Sequence, residues 1–549
     1  MANLRIIFMS VLLTAGSATV FSQNAQTILP HDSQAVSLLR SIYLEQGKDP
    51  LSTAGPFSIG ELQMMLDKID PSTLSPAGMH AYQVIKKEIT TKLVSKPMSL
   101  GVSAHPAASV EGYYHTNQDP SQTEWQQDYN ERLPLAAIPT QIWVGDNVFG
   151  EFDLSIRQNP DGLNPALVPQ NYLNWTSNFE VLDYEIPQRA FVALGGDDWS
   201  FSIGRDRFSW GNGESGNLVV SDSPDYYDFG RITLYWPNFK YSFLWIMLDT
   251  DLEPYGSPVT WTTLPTNPPY VNDNIPRNFF LHRLDFSIFD RATISALEGM
   301  LVGGVQPDLA DFNPVMIFHD LFNFANSSII TALEADVNPW KYFELYGQAA
   351  SNKLVSPQEV ERYGTASSSV ANTYALLGGA RSRIPIWSGY LNAGAEYTVV
   401  SPWMYLRENP LISYEWWRYL ASNVPGSSQW ESAPLGYFTG PDAIVFYVWA
   451  GYDMPGLFSV SVDYENDQQG EQNFSTPYVE SLAAAALVEP TGIPEERNII
   501  HLNSTVDPFP FLRLGTDLYW LWFNNFGHVS GVQMSDFQVS VSVTVHADL

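Results

Sequence analysis

The chain has 549 residues, with 59 acidic side chains against 27 basic ones and a net charge of −32. That balance excludes nucleic acid as a partner, because phosphate binding needs clustered Lys and Arg. The absence of cysteine excludes a disulfide framework, a thiolate metal site and a lipidated N-terminal Cys.

In chain order, residues 1–22 read as a secretory signal that is cleaved on export. Arg5 supplies the positive start, Ile6 to Leu13 the apolar core, and Ala15-Gly16-Ser17-Ala18 or Val20-Phe21-Ser22 the small-residue cleavage site. No later stretch reaches the roughly 18 uninterrupted apolar residues of a membrane helix, so any membrane crossing must be made by a closed sheet. Residues 23–98 form a helical segment, expected on the periplasmic side. Ser33 to Gln46 carries Val36, Leu38, Leu39, Ile42 and Tyr43 at helical spacing. A second helix starts at Ser58, with Glu61 completing a capping box, and presents Leu62, Met65, Leu66 and Ile69. A third runs from Pro76 to Val94. All three are too short to stand alone, so their apolar stripes must pack on each other or on a barrel rim.

From about Ser109 to the C-terminus, runs with period-2 alternation are joined pairwise by tight turns. Gly145-Asp146-Asn147, Gly195-Gly196-Asp197-Asp198, Pro237-Asn238, Asp290-Arg291, Asn338-Pro339, Met454-Pro455-Gly456 and Asp507-Pro508 are expected to be these turns. Between hairpins lie long Pro- and Tyr-rich stretches, 158–186, 249–276, 303–327, 399–442 and 466–496. Short turns on one rim and long loops on the other predict an all-β transmembrane barrel over 99–549. Alternating runs near 109, 139, 148, 188, 199, 230, 240, 279, 292, 328, 341, 372, 387, 443, 457, 498, 511 and 537 give about eighteen antiparallel strands. In the last one Val539, Val541, Val543 and Val545 share one face and Ser540, Ser542 and Thr544 the other. The 17 Trp, 28 Tyr and 30 Phe suit aromatic girdles at two lipid–water interfaces. The chain ends on Leu549 rather than on the aromatic that barrel assembly machinery commonly reads, and Phe537 is the nearest ring.

Among chemical motifs, Gly211-Asn212-Gly213-Glu214-Ser215-Gly216 matches G-x-G-x-x-G. A dinucleotide site needs a helix next, whereas Leu218-Val219-Val220-Ser221-Asp222-Ser223-Pro224 follows, so the glycines read as a compact turn. The nine histidines show no zinc spacing; His319-Asp320, His282 and His501 could each enter a hydrolytic triad, but no nucleophile elbow accompanies them. Asp222, Asp225 and Asp228 suit either calcium or a solvated loop, the loop being favoured. The long loops hold Trp261, Trp403, Tyr405, Tyr414, Trp416, Trp417, Tyr419, Trp430 and Tyr437 among Arg407, Glu415, Arg418 and Glu431. Such rings and charges make either a carbohydrate-stacking surface or the core of loops that plug the lumen.

Three segments resemble the Wzi-type capsule assembly proteins of bacterial outer membranes. Gly204-Arg205-Asp206-Arg207-Phe208-Ser209-Trp210-Gly211-Asn212-Gly213, with Leu218 to Ser221, is similar to the family's G-R-x-x-x-x-W-G-x-G…L-x-x-S element, without a proline between the glycines. Phe312 to His319, followed by Glu344 to Gln348, and Pro434 to Ala443 are similar to two others. The resemblance implies an eighteen-stranded outer-membrane barrel with a periplasmic helical part and a role in holding surface polysaccharide; no enzymatic activity, cofactor or metal is expected. Its expected partners are outer-membrane lipid, extracellular polysaccharide and the outer-membrane assembly machinery. Arg205 and Arg207 are expected as inward-facing donors to sugar hydroxyls or carboxylates, Trp210 as a stacking ring, and Trp416, Trp417 and Arg418 as a loop platform. A cation-preferring porin with an acidic lumen is the alternative.

Overall fold

In the computed structural model, the alternating rows close into a barrel because no other arrangement pairs both edges of so long a sheet. The structure describes residues 24–89, 100–117, 119, 125–127, 129–159, 172–174, 182–183, 185, 187–250, 276–318, 326–353, 373–407, 409–420, 429–476 and 488–547. The signal segment, Trp261, His319, Asp320 and Leu549 lie outside the described residues.

Eighteen antiparallel strands form the wall. They are β1 (Leu100–Ala104, continuing as Ala107–His115), β2 (Ala136–Val144), β3 (Val148–Gln158), β4 (Ala190–Gly195), β5 (Trp199–Asp206) and β6 (Tyr227–Trp236). Then come β7 (Phe239–Leu248), β8 (Arg277–Ile288), β9 (Ala292–Gly303), β10 (Ser327–Trp340), β11 (Phe343–Lys353) and β12 (Thr373–Ile386). The last six are β13 (Gly389–Val400), β14 (Ala443–Met454), β15 (Phe458–Gln469), β16 (Glu495–Phe509), β17 (Leu512–Asn524) and β18 (Gln533–His546). The seam pairs Ala107 through His115 with His546 through Gln538, while Leu100 through Ala104 and Ala107–Ala108 pair with β2.

The expected rows point as alternation requires. Val541, Val543 and Val545 are exposed on the outside, while Ser540 and Thr544 are buried inside. Two turns sit elsewhere than expected. Asn338-Pro339 and Asp507-Pro508 lie within β10 and β16, at register shifts between Val337 and Trp340 and between Val506 and Phe509. A proline cannot donate to the ladder, so it takes a bulge and the chain reverses a few residues later.

The short-turn rim carries an aromatic belt. Trp236 stacks on Phe239 at 5.8 Å, Phe239 meets Phe286 at 5.1 Å, Trp340 stacks on Phe343 at 4.9 Å and Phe509 on Phe511 at 5.5 Å. Toward the long-loop rim, Tyr114, Tyr374, Tyr397, Phe446, Trp520 and Phe537 are exposed outward. Two ring belts bracketing an apolar band are what a lipid bilayer demands of a barrel's outer surface.

The helices α1 (Gln34–Gln46), α2 (Ile59–Leu66) and α3 (Pro76–Ile89) pack on one another and cap the short-turn rim. Ser33 and Ser58 are the N-caps, and Ser58 Oγ accepts from the Glu61 N–H at 3.2 Å. The cap is bonded to several turns. Tyr342 N donates to Leu44 O at 2.8 Å, Asp49 N to Asp290 O at 2.8 Å, and Lys68 Nζ pairs with Asp290 at 3.0 Å. Residues 50–57 then leave the rim and enter the lumen. There Ser52 Oγ donates to Asp285 at 3.0 Å, Lys240 Nζ to Ala54 O at 2.8 Å and Arg231 to Pro56 O at 2.7 Å.

Candidate functional site

The connection from β5 to β6 folds back into the lumen and meets the N-terminal segment. Ala54 and Val220 each form a β-bridge with Trp210, and Trp210 Nε1 donates to Gly55 O at 2.8 Å. Phe208, Trp210, Leu218, Val219 and Val220 are buried in one apolar cluster with Ile28, Tyr346, Leu377 and Tyr437. Polar anchors hold the loop's shape and tie it to the wall. Gly213 N donates to Asn217 Oδ1 at 3.1 Å, and Glu214 N donates to Glu396 at 2.9 Å. Gly211 has φ 142°, and a Cβ there would lie 2.0 Å from Asn217 Oδ1, so the G-x-G-x-x-G run is a compact turn without a following helix. Arg381, buried in the wall, pairs with Glu344 at 2.8 Å and with Glu214 on the loop.

A second insertion comes from the β13–β14 connection. Trp403, Tyr405, Tyr414 and Tyr437 are buried, and Glu415–Leu420 pairs with Gln429–Pro434 as a hairpin. Tyr405 Oη donates to Leu218 O at 2.7 Å, joining the two insertions. The loop aromatics therefore serve largely as the core of a luminal plug.

The expected ligand residues divide between this plug and the rim. Trp210 is a packed plug side chain. Arg207 also belongs to the plug, its Nε donating to Asp222 O at 2.7 Å. Arg205 corrects the inward placement: it shares the outward row of β5 with Ile203, because side chains alternate along a strand and its cross-strand partner Asp228 points outward too. It forms a fork to Asp228 at 2.8 Å from both Nε and Nη2, reaches Glu185 at 3.1 Å, and stacks on the Tyr226 ring at 3.8 Å. Trp417 is buried under Arg277, whose guanidinium sits 4.2 Å from the ring. Arg418 is fully buried, paired with Asp183, with Asp225 and, at 2.9 Å, with Glu185.

Trp416 meets Tyr226 edge-on at 5.6 Å and, with Arg205, Tyr226, Asp228, Trp245 and Asp249, lines a pocket of about 440 Å³ at the long-loop rim. The pocket opens on the outward side of β5, β6 and β7. Burial pushes Asp249 above the usual carboxylate range, with the Asp228 charge adding to it. Burial also raises Glu185, but the Tyr226 hydroxyl and the Arg418 guanidinium outweigh it and hold the carboxyl low. Aromatic faces beside a fixed guanidinium and carboxylates suit a ligand rich in hydroxyls. Tyr226, Trp245 and Asp249 escape sequence reading, since they join Arg205 only through strand register. The one signal for the Arg205–Asp228 pair is a pair of opposite charges flanking a long connection.

The acidic trio does not gather on one ion. Asp222 pairs with His31 at 3.3 Å, Asp225 with Arg418, and Asp228 with Arg205. Among the described residues no group of His, Asp and Glu could hold a metal. His501 faces Asp463 at 3.2 Å and Asp517 at 3.1 Å, one carboxylate on each ring nitrogen, which leaves no nitrogen to activate a serine.

Asp222 makes the plug sensitive to acid. Burial alone would raise its carboxyl, but the His31 hydrogen bond and Arg207 hold it at about 2. A carboxyl depressed in the folded state stabilises above its unfolded value of about 4 and loses that contribution as pH falls toward 2. Limited proteolysis of the plug should therefore accelerate between about pH 5 and about pH 2, and Asp222→Asn should flatten that response.

No protein-family model matches the sequence, and no curated protein matches it. Among solved structures, the chain is similar to Wzi of Escherichia coli, an outer membrane protein involved in group 1 capsule assembly and a carbohydrate-binding β-barrel. That match has 12% identity and a TM-score of 0.57, covering 93% of this chain and 97% of that one. It is also similar to an anion-selective porin from Comamonas acidovorans (10% identity, TM-score 0.33, 82% and 100% covered). A further match is OprD from Pseudomonas aeruginosa (9% identity, TM-score 0.37, 82% and 94% covered). The Wzi likeness is one of fold: a closed eighteen-stranded barrel with N-terminal helices.

Proposed function

We propose that this protein is a non-enzymatic outer-membrane barrel of the Wzi type that binds or organises surface polysaccharide, with its helical cap in the periplasm and its long loops outside. The observation that carries the reading is the luminal plug: residues 50–57 from one side and the β5–β6 connection from the other meet at Trp210. A lumen obstructed in this way favours binding over a path for solutes. The Wzi fold supports it, as does the rim pocket, where Arg205, Trp245 and Trp416 bring together stacking rings and charged donors. Outer-membrane lipid and the assembly machinery are partners of the same proposal.

Within this reading Arg205 and Trp245 make the contacts with sugar, while Trp416, itself buried, backs the pocket, and Arg418 and Trp417 hold its hairpin in place. Arg207 and Trp210 hold the plug. The test is retention of polysaccharide by protein purified from its source cell. Arg205→Ala combined with Trp245→Ala should lower retention at least about tenfold, the scale of one or two charge-assisted or stacking contacts. Equal retention by wild type and the double variant would remove the pocket from the reading, and no retention by wild type would remove the reading.

A further inference from the structure

The outward face of β7 to β12 carries a feature that the polysaccharide reading does not use. Register places Leu284, Ala296, Leu333, Ala349 and Leu376 side by side on β8 to β12, large and small in turn. These residues floor a groove of about 620 Å³ on the outside of the barrel. The next outward row toward the long-loop rim is polar: His282, Glu298, Thr331 and Ser351 on β8 to β11. Beyond it the surface is apolar again, with Phe280, Met300 and Ile329 in register.

A strap crosses this face. After β9 the chain descends along the outside instead of rising from the rim. Phe312 packs on Trp245 at 4.9 Å and on Phe280 at 5.0 Å, and Tyr241 donates to Pro314 O. Phe318 stacks on His282 at 4.7 Å, and its N–H donates at 3.0 Å to Glu298, which also pairs with His282 at 2.9 Å. Leu309, Val315 and Ile317 of the strap remain exposed, two of them by more than 80%.

Polar residues on the lipid side of a barrel are costly unless something polar meets them. Here a polar row borders an apolar furrow, and Tyr374 of the outward ring belt toward the long-loop rim lines the same groove. We propose that this face is a specific seat for one acyl lipid of the outer leaflet. Its chain lies along the Leu–Ala–Leu–Ala–Leu floor, and its ester or amide linkage meets the exposed Thr331 hydroxyl, beside Ser351, whose own hydroxyl already donates to Thr373 O at 2.6 Å. The strap clamps it from the side, and the strap's exposed aliphatic residues extend the same hydrocarbon contact. The inference needs the transmembrane barrel but is independent of what the rim pocket binds.

The test is native mass spectrometry of the full barrel extracted from its own membrane in mild detergent, with fatty-acid analysis of what stays bound. Wild type should retain one acylated lipid per chain. Ala349→Trp, which fills the furrow, and Phe318→Ala, which releases the strap without touching a strand, should each cut occupancy at least about tenfold, the equivalent of two buried methylenes. Val541→Trp, on the outward row of β18, should leave it unchanged. Faster migration of unheated than boiled protein verifies that each variant is folded, and Phe318→Ala carries the test if Ala349→Trp is not. Equal occupancy in all four proteins, detergent alone in the groove, or a wild-type dimer that Ala349→Trp dissociates would each overturn the proposal.

Discussion

Planar-bilayer recordings of wild-type protein should be silent, and replacing residues 207–222 with a short Gly-Ser linker should open a steady conductance. An eighteen-stranded wall encloses an aqueous channel unless side chains or loops fill it. In this chain two segments that depend on each other do much of the filling, beside the β13–β14 insertion. Trp210 donates its indole N–H to Gly55 O, and Phe208, Leu218 and Val220 bury against Ile28 and Ala54. Removing the loop strips the residue 50–57 segment of its apolar partner. The lumen-facing residues thereby uncovered include Glu344, Glu396 and Asp336 beside Arg381, so the opened pore should prefer cations. Persistent silence of the loop-replaced barrel would mean that the N-terminal segment and the β13–β14 connection suffice to close it.

Arg381→Ala should cost about 3–5 kcal/mol of stability, because it leaves the buried Glu344 carboxylate without its cation and frees the more exposed Glu214 on the loop. Arg381 is almost fully buried, 2.8 Å from Glu344, paired with Glu214, and 4.4 Å from the Tyr346 ring. The measurement is the temperature at which the fast-migrating folded band converts to the slow one. Arg381→Met, which also removes the charge while keeping volume, should cost nearly as much, whereas Arg381→Met with Glu344→Gln should recover part of the loss. If the single and double variants melt together, the ion pair contributes little and the loop is held by its apolar contacts.

The barrel is legible in the sequence because lipid imposes period-2 alternation and aromatic belts on the strands themselves. Val541 faces outward and Ser540 inward for reasons contained within β18. Proline misleads at Asn338-Pro339 and Asp507-Pro508, since the same residue that marks a turn also marks a bulge. The site is less legible. Arg205 faces outward because β5 runs in unbroken register through Asp206, which keeps it in the row of Ile203, and only a bulge or slip before it would have turned it inward. Trp210 and Trp417 look like stacking platforms in isolation. What makes them core is a partner far away in sequence, Gly55 for one and Arg277 for the other. The polar row on the outer face is invisible for a related reason: His282, Glu298, Thr331 and Ser351 come from four strands, and each is ordinary in its own.

Leu44, Asp49 and Lys68 of the helical cap grip turns that belong to separate hairpins, β8–β9 around Asp290 and β10–β11 around Tyr342, while Arg383 and Tyr390 tie β12 and β13 to Ser37 and Glu45. A single rigid body fastened to neighbouring hairpins reports whether they stand in correct relative order, so the three helices can seat only on a wall whose staves are already in place.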